Sequence, residues 1–349
     1  MNRDRSSSSN EVTKESAKAE GSLVSRGGKK IDDLIHRIRE STDKLAEDGS
    51  SRGDLKIVSR AIRELRYAFK VFSQYRHHRK VTVFGSARTP AEEPSYQQAV
   101  AYGKAMANHD WLVVTGAASG IMEAGHVGAG RKHSMGLNII LPFEQESNPI
   151  IAGDHKLVHM KYFFTRKLMF VKECDAVVCL PGGFGTMDEA MEVLTLLQTG
   201  KREMVPVVLL DAPDEGYWKA LDQFIRTQLL ERGMISQQDL SLYKLTDSWE
   251  EAVQEVLGFF RVYHSMRYIK DQLVLRLRAS VSAKCMTHIN ENFTDILKRG
   301  GFELLEALPG EQNEPDLADM PRLAFHFNRR HHGRLRQLIN VLNADKGVD

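Results

Sequence analysis

The stretch that decides the fold reads Pro181-Gly182-Gly183-Phe184-Gly185-Thr186-Met187-Asp188-Glu189. The apolar run Ala-Val-Val-Cys-Leu at 176–180 comes directly before it, and apolar residues recur with helical spacing from Met191 to Leu197. A short apolar run is typical of a buried strand, whereas apolar residues that recur once per helical turn are typical of a helix. The sequence therefore predicts a strand, a glycine-rich turn and a helix in succession.

This turn carries the features of an anion-binding site. Gly182, Gly183 and Gly185 allow positive φ angles and a close approach of the backbone to a ligand. The start of the helix presents free N–H groups and the positive end of its dipole. Thr186 is expected to cap the helix or to donate to a phosphate. Glu189 is expected in the first helical turn, where either the helix dipole or chemistry on a phosphate-bearing ligand would account for a carboxylate.

Composition excludes several classes of protein. The chain has 349 residues, of which 42% are hydrophobic and 27% charged, as in an ordinary globular protein. A net charge of +2 argues against a nucleic-acid or membrane partner. Cys174, Cys179 and Cys285 have no metal-binding spacing and are expected to be reduced, buried thiols of a cytoplasmic protein. The sequence has no apolar run of membrane-spanning length and no secretory signal core.

Four regions follow from the changes in composition. Residues 1–30 are rich in Ser, Lys and Glu and are expected to form a disordered tail. Residues 31–79 predict a helical extension, 80–262 a Rossmann-like nucleotide-binding domain, and 265–349 a small α+β domain. In that last region the patterns predict strands at 272–277, 302–308 and 323–327 and helices at 288–298 and 333–342.

Strands alternate with helices in the central region. The apolar runs that predict its main strands lie at 80–84, 111–115, 138–142, 176–180 and 205–210. Such alternation predicts an α/β fold, a parallel sheet with helices on both faces, in which ligands bind beyond the carboxyl ends of the strands.

Three of these strands end in turns of small residues, at 85–86, 116–120 and 181–186. We therefore predict that Gly85, Ser86, Gly116 and Gly120 line one cleft together with the turn that follows the 176–180 strand. The first turn lacks G-x-G-x-x-G and the last lacks G-K-[ST], which argues against a nicotinamide cofactor and against a nucleoside triphosphatase.

Glu189 needs a partner, and Arg166-Lys167 lies on the predicted helix before the 176–180 strand. These side chains are suited to binding a phosphate or to stabilising a developing negative charge. The alternative is an Arg–Glu ion pair that only holds two helices together. Spacing alone leaves both interpretations open.

Residues 181–189 resemble the P-G-G-x-G-T-x-x-E signature of the LONELY GUY (LOG) family, and Arg166-Lys167 resembles its upstream Arg-Lys pair. Proteins of this family were often labelled lysine decarboxylases, and the resemblance covers about 80–235. It implies a Rossmann-like homodimer or higher oligomer that cleaves the N-glycosidic bond of a nucleoside 5′-monophosphate. The products are a free base and ribose 5-phosphate. Plant-type members act on cytokinin nucleotides and bacterial relatives on AMP or similar monophosphates.

The resemblance also implies roles for residues. Arg166 and Glu189 would be the catalytic pair, without a metal or a cofactor. The glycines at 182, 183 and 185 and Thr186 would hold the phosphate, while Lys167 and Thr195 would line the site.

Two segments differ from the plant-type members: 116–120 departs from the family pattern, and 141–148 resembles a longer bacterial subgroup. The second turn reads Gly116-Ala117-Ala118-Ser119-Gly120 where the family often has G-G-G-x-G, so that added Cβ atoms either narrow the cleft or shift a loop. Residues 141–148 resemble the L-P-x-E-Q-x-x-N of the longer subgroup. Glu144 and Asn148 are therefore candidate base or ribose contacts, with a loop-structuring role as the alternative.

Two other functions are compatible with the sequence. A non-catalytic regulatory protein would bind a nucleotide with the same turns, and an effector-gated enzyme would bind an anion at the basic cluster 329–336. Solvated surface charge is the simpler interpretation of that cluster. His331 and His332 have no acidic or cysteine partner in the sequence, so no metal site is predicted there.

Overall fold

The computed structural model describes residues 31–141, 146–311 and 314–345. The chain divides into two compact units, Met1–Arg63 and Glu64–Asp349. Helix α1 spans 31–47 and α2 spans Arg52–Phe72. The expected tail at 1–30 lies outside the described residues, and the domain limits expected from the sequence stay a prediction. In the described part of the chain, no helix has both the length and the apolar content that a membrane crossing needs.

The larger unit contains a parallel sheet of seven strands. They are β1 (Lys80–Phe84), β2 (Leu112–Thr115), β3 (Ser134–Ile139), β4 (Leu157–Met160), β5 (Ala176–Cys179), β6 (Val207–Leu210) and β7 (Lys244–Thr246). Most of these strands are buried along their whole length and are rich in Val, Ile and Leu, as expected for a sheet covered on both faces. The sheet is flanked by helices and is Rossmann-like, which confirms the predicted fold class.

The strand order is β4-β3-β2-β1-β5-β6-β7. The chain builds one half of the sheet outward from β1 and then returns to start the other half with β5, which pairs directly with β1. The order therefore reverses between β1 and β5. In open α/β sheets, a crevice that accepts ligands forms at the carboxyl ends of strands at such a reversal.

Helices connect these strands. They are α3 (Pro94–Asn108), α4 (Ile121–His133), α5 (Phe163–Glu173), α6 (Phe184–Gln198), α7 (Tyr217–Phe224) and α8 (Trp249–Phe259). A π-helical segment, Ile225–Leu230, continues α7. Helices α5 and α6 follow the carboxyl ends of β4 and β5, so both begin at the edge of the sheet where the crevice lies.

The C-terminal part is an α+β unit, as predicted. Its strands β8 (Tyr263–Ile269), β9 (Gln272–Leu277), β10 (Leu297–Leu305) and β11 (Arg322–Phe327) form an antiparallel sheet in the order β10-β11-β9-β8. Helices α9 (Ala283–Asn292) and α10 (His332–Ala344) complete it. Buried Glu311 accepts hydrogen bonds from Arg276 at 2.7 Å and Arg322 at 3.1 Å, and so anchors the loop before β11.

Three predicted elements are wrong in their limits, and one of them is the strand predicted at 302–308, which is β10 (Leu297–Leu305). The strand predicted at 138–142 is Ser134–Ile139, because Gly130 (φ 69°, ψ 161°) breaks α4 and the chain enters β3 without a loop. The helix predicted at 288–298 ends at Asn292, and β10 begins at Leu297. Gly300, at φ 70°, lies inside β10 where the register of the strand is irregular. Gly300 and Gly301 interrupt the apolar pattern that would otherwise predict a strand there.

Candidate active site

The three small-residue turns meet at the strand-order reversal, as predicted. Two backbone hydrogen bonds join them: Ser86 N donates to Pro181 O at 3.0 Å, and Ile121 N donates to Ser86 O at 2.9 Å. The first turn is thereby bonded to both of the others through a single residue. The Ser86 hydroxyl accepts from Arg88 N at 3.0 Å, which leaves its own proton available to a ligand.

Close packing explains two of the glycines in these turns. A Cβ on Gly182 would lie 2.8 Å from Thr186 Cβ and 2.9 Å from Ser86 N. Gly120 has φ 63°, and a Cβ there would clash with Ser86 O. The expectation of positive φ at the glycines of 181–186 is wrong, since none of them has a φ in the left-handed region. Gly183 and Gly185 are instead exposed, with nothing near the position that a Cβ would occupy.

The N-terminus of α6 is open to an anion. Within the described residues, the amide N–H groups of Phe184 and Gly185 have no hydrogen-bond acceptor, as is usual for a first helical turn. The N-cap residue is Gly183, which supplies no side-chain cap. Thr186 is the third helical residue and does not cap the helix, and its side chain packs against Gly182. The Tyr217 hydroxyl donates to Gly182 O at 2.6 Å and fixes the loop from the other side.

Arg166 reaches the second turn from the first turn of α5. Its Nε donates to Leu137 O at 2.8 Å, and its guanidinium carbon lies 5.1 Å from the centre of the Phe170 ring. A Cβ on Gly116 would clash with Nη2 of Arg166, so the absence of a side chain there makes room for the guanidinium. Within the described chain, neither terminal nitrogen of Arg166 has a hydrogen-bond partner. Burial lowers the pKa of Arg166 to about 10, and the charge of Glu189 opposes that shift.

Glu189 is buried on α6, with 8% of the residue exposed. Its Oε2 atom is buried and has no hydrogen-bond partner among the described residues. Burial raises the pKa of Glu189 to about 7, although the charges of Lys167 and Arg166 lower it. The helix-dipole explanation for this carboxylate is wrong, because Glu189 is the sixth residue of α6 and the dipole acts within the first turn.

The structure separates the two alternatives for Arg166. No ion pair joins Arg166 to Glu189 in the described part of the protein, although each affects the pKa of the other. The pair that links α5 to α6 is made by Lys167, whose Nζ lies 2.5 Å from Asp188 Oδ2 and 2.7 Å from Glu192 Oε2. Lys167 is therefore engaged beside the site, and substrate binding by Lys167 stays a prediction.

The remaining predicted contacts lie elsewhere. Thr195 is exposed and bonds to Met191 O at 2.8 Å; six helical positions from Glu189, it points about 120° away around α6. Asn148 is buried, and its Nδ2 donates to Ala118 O at 3.1 Å, which favours the loop-structuring alternative. Glu144 lies outside the described residues.

The basic cluster at 329–336 does not form one charged face. Arg336 is buried and pairs with Glu255, while the Arg334 Nε lies 2.9 Å from Asp295 Oδ2. The guanidinium of Arg329 instead lies over the Tyr268 ring, 4.3 Å from its centre. The interpretation of the whole cluster as solvated charge is therefore wrong, because packing between elements accounts for part of it.

Sequence reasoning missed Glu64, the residue that anchors the start of α5. The carboxylate of Glu64 is buried and accepts from Lys161 N at 2.9 Å and from the Thr165 hydroxyl at 2.8 Å. Thr165 directly precedes Arg166, so that Glu64 fixes the helical turn that carries the guanidinium. The one available signal was a glutamate within the apolar spacing of α2.

Comparisons with known proteins show which family this chain is similar to. A family profile described as "Possible lysine decarboxylase" matches residues 116–256. The chain is 33% identical over 167 residues to the cytokinin riboside 5′-monophosphate phosphoribohydrolase LOG3 of Arabidopsis thaliana, a match that spans 45% of this chain and 72% of LOG3. It is also 36% identical over 128 residues to LOG6 of Arabidopsis thaliana, a probable cytokinin riboside 5′-monophosphate phosphoribohydrolase. That match covers 36% of this chain and 60% of LOG6.

Two solved structures are similar to this chain over about half of its length. A molybdenum cofactor binding protein from Rippkaea orientalis is 19% identical with a TM-score of 0.36, and the match covers 51% of this chain and 94% of that one. The molybdenum cofactor carrier protein of Chlamydomonas reinhardtii is 20% identical with a TM-score of 0.37 and coverages of 52% and 96%. At these scores the two structures add nothing to the fold described above. The identity to LOG3 over most of that protein, with the family profile, shows that this chain belongs to the LOG, or lysine decarboxylase-like, family.

Proposed function

We propose that this protein is a phosphoribohydrolase that hydrolyses the N-glycosidic bond of a nucleoside 5′-monophosphate, with AMP as the representative substrate. The observation that carries the proposal is the buried carboxylate of Glu189, which has no partner among the described residues and lies beside an open helix N-terminus. A helix N-terminus accepts a phosphate, and a carboxylate with a raised pKa in a cleft is typical of a catalytic group. The activity in the names of LOG3 and LOG6 is consistent with this proposal.

In this reaction the phosphate binds at the first turn of α6, where the amides of Phe184 and Gly185 are free to donate. That anchor fixes the ribose above the helix and holds the reacting bond in place. The bond between C1′ and the base nitrogen breaks through an oxocarbenium-like state, as in other glycoside cleavage. Ionised Glu189 stabilises that positive charge or orients the attacking water.

Water supplies the oxygen that joins C1′ and keeps one proton there as the new hydroxyl group. Its other proton goes to the departing base nitrogen, so that the products are free base and ribose 5-phosphate. The two terminal nitrogens of Arg166, which have no partner among the described residues, would bind the phosphate or the departing base. A decarboxylase that forms an imine needs a lysine with a lowered pKa. The candidate beside the site, Lys167, differs from this: burial lowers its pKa, but hydrogen bonds to Asp188 and Glu192 raise it above the ordinary value.

The test is release of free base from AMP, GMP, CMP, UMP and one cytokinin riboside monophosphate, followed by chromatography. Glu189→Gln should lower kcat by about 10²-fold or more, the usual contribution of a positioned acid–base group. The matched control is Glu192→Gln, on the same helix but ion-paired with Lys167, which should stay within about threefold because exposed ion pairs contribute little. No base release from any nucleotide, or full activity in Glu189→Gln, would refute the proposal.

We also propose that the enzyme is a homodimer, because large apolar side chains are exposed on both helices that carry the site. Phe184 is 97% exposed at the start of α6, and Phe163, Phe164 and Leu168 are exposed on α5. Contiguous exposed apolar residues mark interaction surfaces. Light scattering should give twice the mass of one chain, and Phe184→Ser with Phe164→Ser should lower it. A monomeric wild type would contradict the dimer and leave the proposed reaction intact.

A further inference from the structure

We propose that His126 and Asn148 are positioning residues that hold the second turn of the site, residues 116–120, in a conformation its own sequence disfavours. We call this pair of side chains the brace. The inference rests on the proposed function only in assuming that the turn borders the reacting substrate. Both residues are buried, so neither needs to touch a ligand.

The conformation that needs support is that of Ala117. Its φ is 59°, in the left-handed region, where the Cβ of an L-residue lies too close to the following carbonyl oxygen. Glycine has no such conflict, because it has no Cβ. This chain therefore keeps a backbone suited to glycine while carrying alanine, and other contacts must supply the stabilisation.

Hydrogen bonds on three sides provide that stabilisation. Ala117 N donates to Thr115 Oγ1 at 3.0 Å, and Asn148 N donates to Ala117 O at 2.8 Å. The side chain of Asn148 extends the contact, since its Nδ2 donates to Ala118 O at 3.1 Å. Both carbonyls at the centre of the turn are thus bonded to one residue of another segment.

The added methyl group points away from the cleft. The Cβ of Ala117 is fully buried in a small apolar cluster with Ile151 and Leu157, and would lie 2.9 Å from a Cβ on Gly136. The sequence predicted that added Cβ atoms either narrow the cleft or shift a loop. The Cβ of Ala117 does not narrow the cleft, because it is fully buried. The segment that contains Asn148 and Ile151 packs on the buried side of Ala117.

His126 fixes the orientation of the Asn148 side chain. Its Nε2 lies 3.0 Å from Met135 O, an obligate acceptor, so Nε2 carries the proton and Nδ1 is the acceptor. Asn148 Nδ2 lies 3.2 Å from that Nδ1 and has two protons, one for His126 and one for Ala118 O. Burial lowers the pKa of His126 to about 4, which keeps the ring neutral at pH 7, in the form this arrangement requires.

The second turn limits the position of the Arg166 guanidinium. Gly116 directly precedes Ala117, and its backbone packs against the Arg166 guanidinium so closely that a Cβ would clash with Nη2. On its other side the turn is tied to the first turn, as Ser119 Oγ donates to Ala87 O at 2.8 Å. A turn released at Ala117 would therefore move Gly116 relative to Arg166.

The experiment is a double-mutant cycle between Asn148→Ala and Ala117→Gly. In the wild-type background, Asn148→Ala should lower kcat/KM by about tenfold and lower the urea midpoint of unfolding, because the strained turn loses its support. In the Ala117→Gly background the same substitution should cost no more than about threefold, since glycine holds the conformation unaided. Ala117→Gly alone should keep kcat/KM within about twofold.

The matched control is Ala118→Gly, which removes the same methyl group from a neighbour whose φ is not positive. It should not rescue Asn148→Ala. If Asn148→Ala does not fold, Asn148→Asp replaces it, because it keeps the size and loses the Nδ2 donor. His126→Leu has no ring nitrogen to orient Asn148 and also loses the bond to Met135 O, so it should show a loss that Ala117→Gly rescues only in part.

If the effects of Asn148→Ala and Ala117→Gly on the unfolding midpoint are additive, the brace is wrong. It is also wrong if Ala118→Gly rescues Asn148→Ala as well as Ala117→Gly does. Coupling in unfolding without coupling in kcat/KM would show a purely structural pair and overturn the positioning role. If no nucleotide is hydrolysed, the proposed function fails by itself, and the affinity for AMP, measured by calorimetry, replaces kcat/KM in the same cycle.

Discussion

Replacing Glu189 by glutamine should make the protein more stable at pH 8 while lowering kcat of the proposed reaction. Burial raises the pKa of Glu189 from an ordinary 4.5 to about 7 in the folded protein. Between these values the folded state binds more protons than the unfolded state, so the free energy of unfolding falls as pH rises from about 4.5 to about 7. Glutamine has the same shape and carries no charge, so this penalty disappears.

The magnitude follows from the gap between 4.5 and about 7. At 1.36 kcal/mol per pH unit, the ionised carboxylate costs the folded state about 3 kcal/mol at pH 8. At pH 5 the cost is under about 1 kcal/mol, because the folded protein already holds the proton. Urea denaturation of wild type and Glu189→Gln at both values of pH measures the difference, with a gain expected at pH 8 that largely disappears at pH 5.

The control for this prediction is Glu192→Gln, one turn further along α6. That carboxylate is partly exposed and its Oε2 lies 2.7 Å from Lys167 Nζ, so its removal should leave stability unchanged or lower it by about 0.5 kcal/mol at both values of pH. A Glu189→Gln protein that is no more stable than wild type at pH 8 would refute the argument, since it would mean that the carboxylate is solvated or paired. So would an equal gain at pH 5 and pH 8.

Three further substitutions test the surroundings of the pair. Gly116→Ala should displace the Arg166 guanidinium and lower kcat/KM by about 10²-fold, in steady-state assays, with little change in the unfolding midpoint. Lys167→Met removes a positive charge that lowers the pKa of Glu189, so the rise of kcat/KM should move to higher pH in a pH profile. Glu64→Gln keeps the size of the side chain but weakens its acceptor bonds to the start of α5, and urea denaturation should show a loss of about 1–2 kcal/mol.

The sequence was sufficient to predict the parts of the site that are local in the chain. The strand, turn and helix around 176–198 lie close to the predicted limits, because an apolar run, three glycines and helical spacing all agree there. The meeting of three turns also followed from pattern alone, since parallel strands share one carboxyl edge. Predictions failed where a local signal was weak, as in the glycine-containing strand β10.

Long-range partners were beyond such reasoning. Nothing in the spacing distinguishes Arg166 from Lys167 as the partner of the acidic residues on α6, because both follow Thr165 on one helix. Only the packing of α5 directs Lys167 to Asp188 and Glu192 and sends Arg166 toward Leu137 O and the second turn. The role of Asn148 could not be predicted either, since a polar side chain in a loop can bind a ligand or a neighbouring backbone group, and the sequence does not distinguish the two.

The different partners of Arg166 and Lys167 explain why Glu189 is left without an ion pair. An ion pair between Arg166 and Glu189 would satisfy both groups and hold the pKa of the carboxyl low. No such pair forms in the described part of the protein: Lys167 pairs with Asp188 and Glu192, while Arg166 is held through Nε and has no partner there for its terminal nitrogens. Glu189 is then near enough to positive charge to be ionised at neutral pH, and buried enough to accept a proton there. A group with its pKa near the working pH changes protonation state at the lowest cost, and the unpaired geometry at this site provides that property.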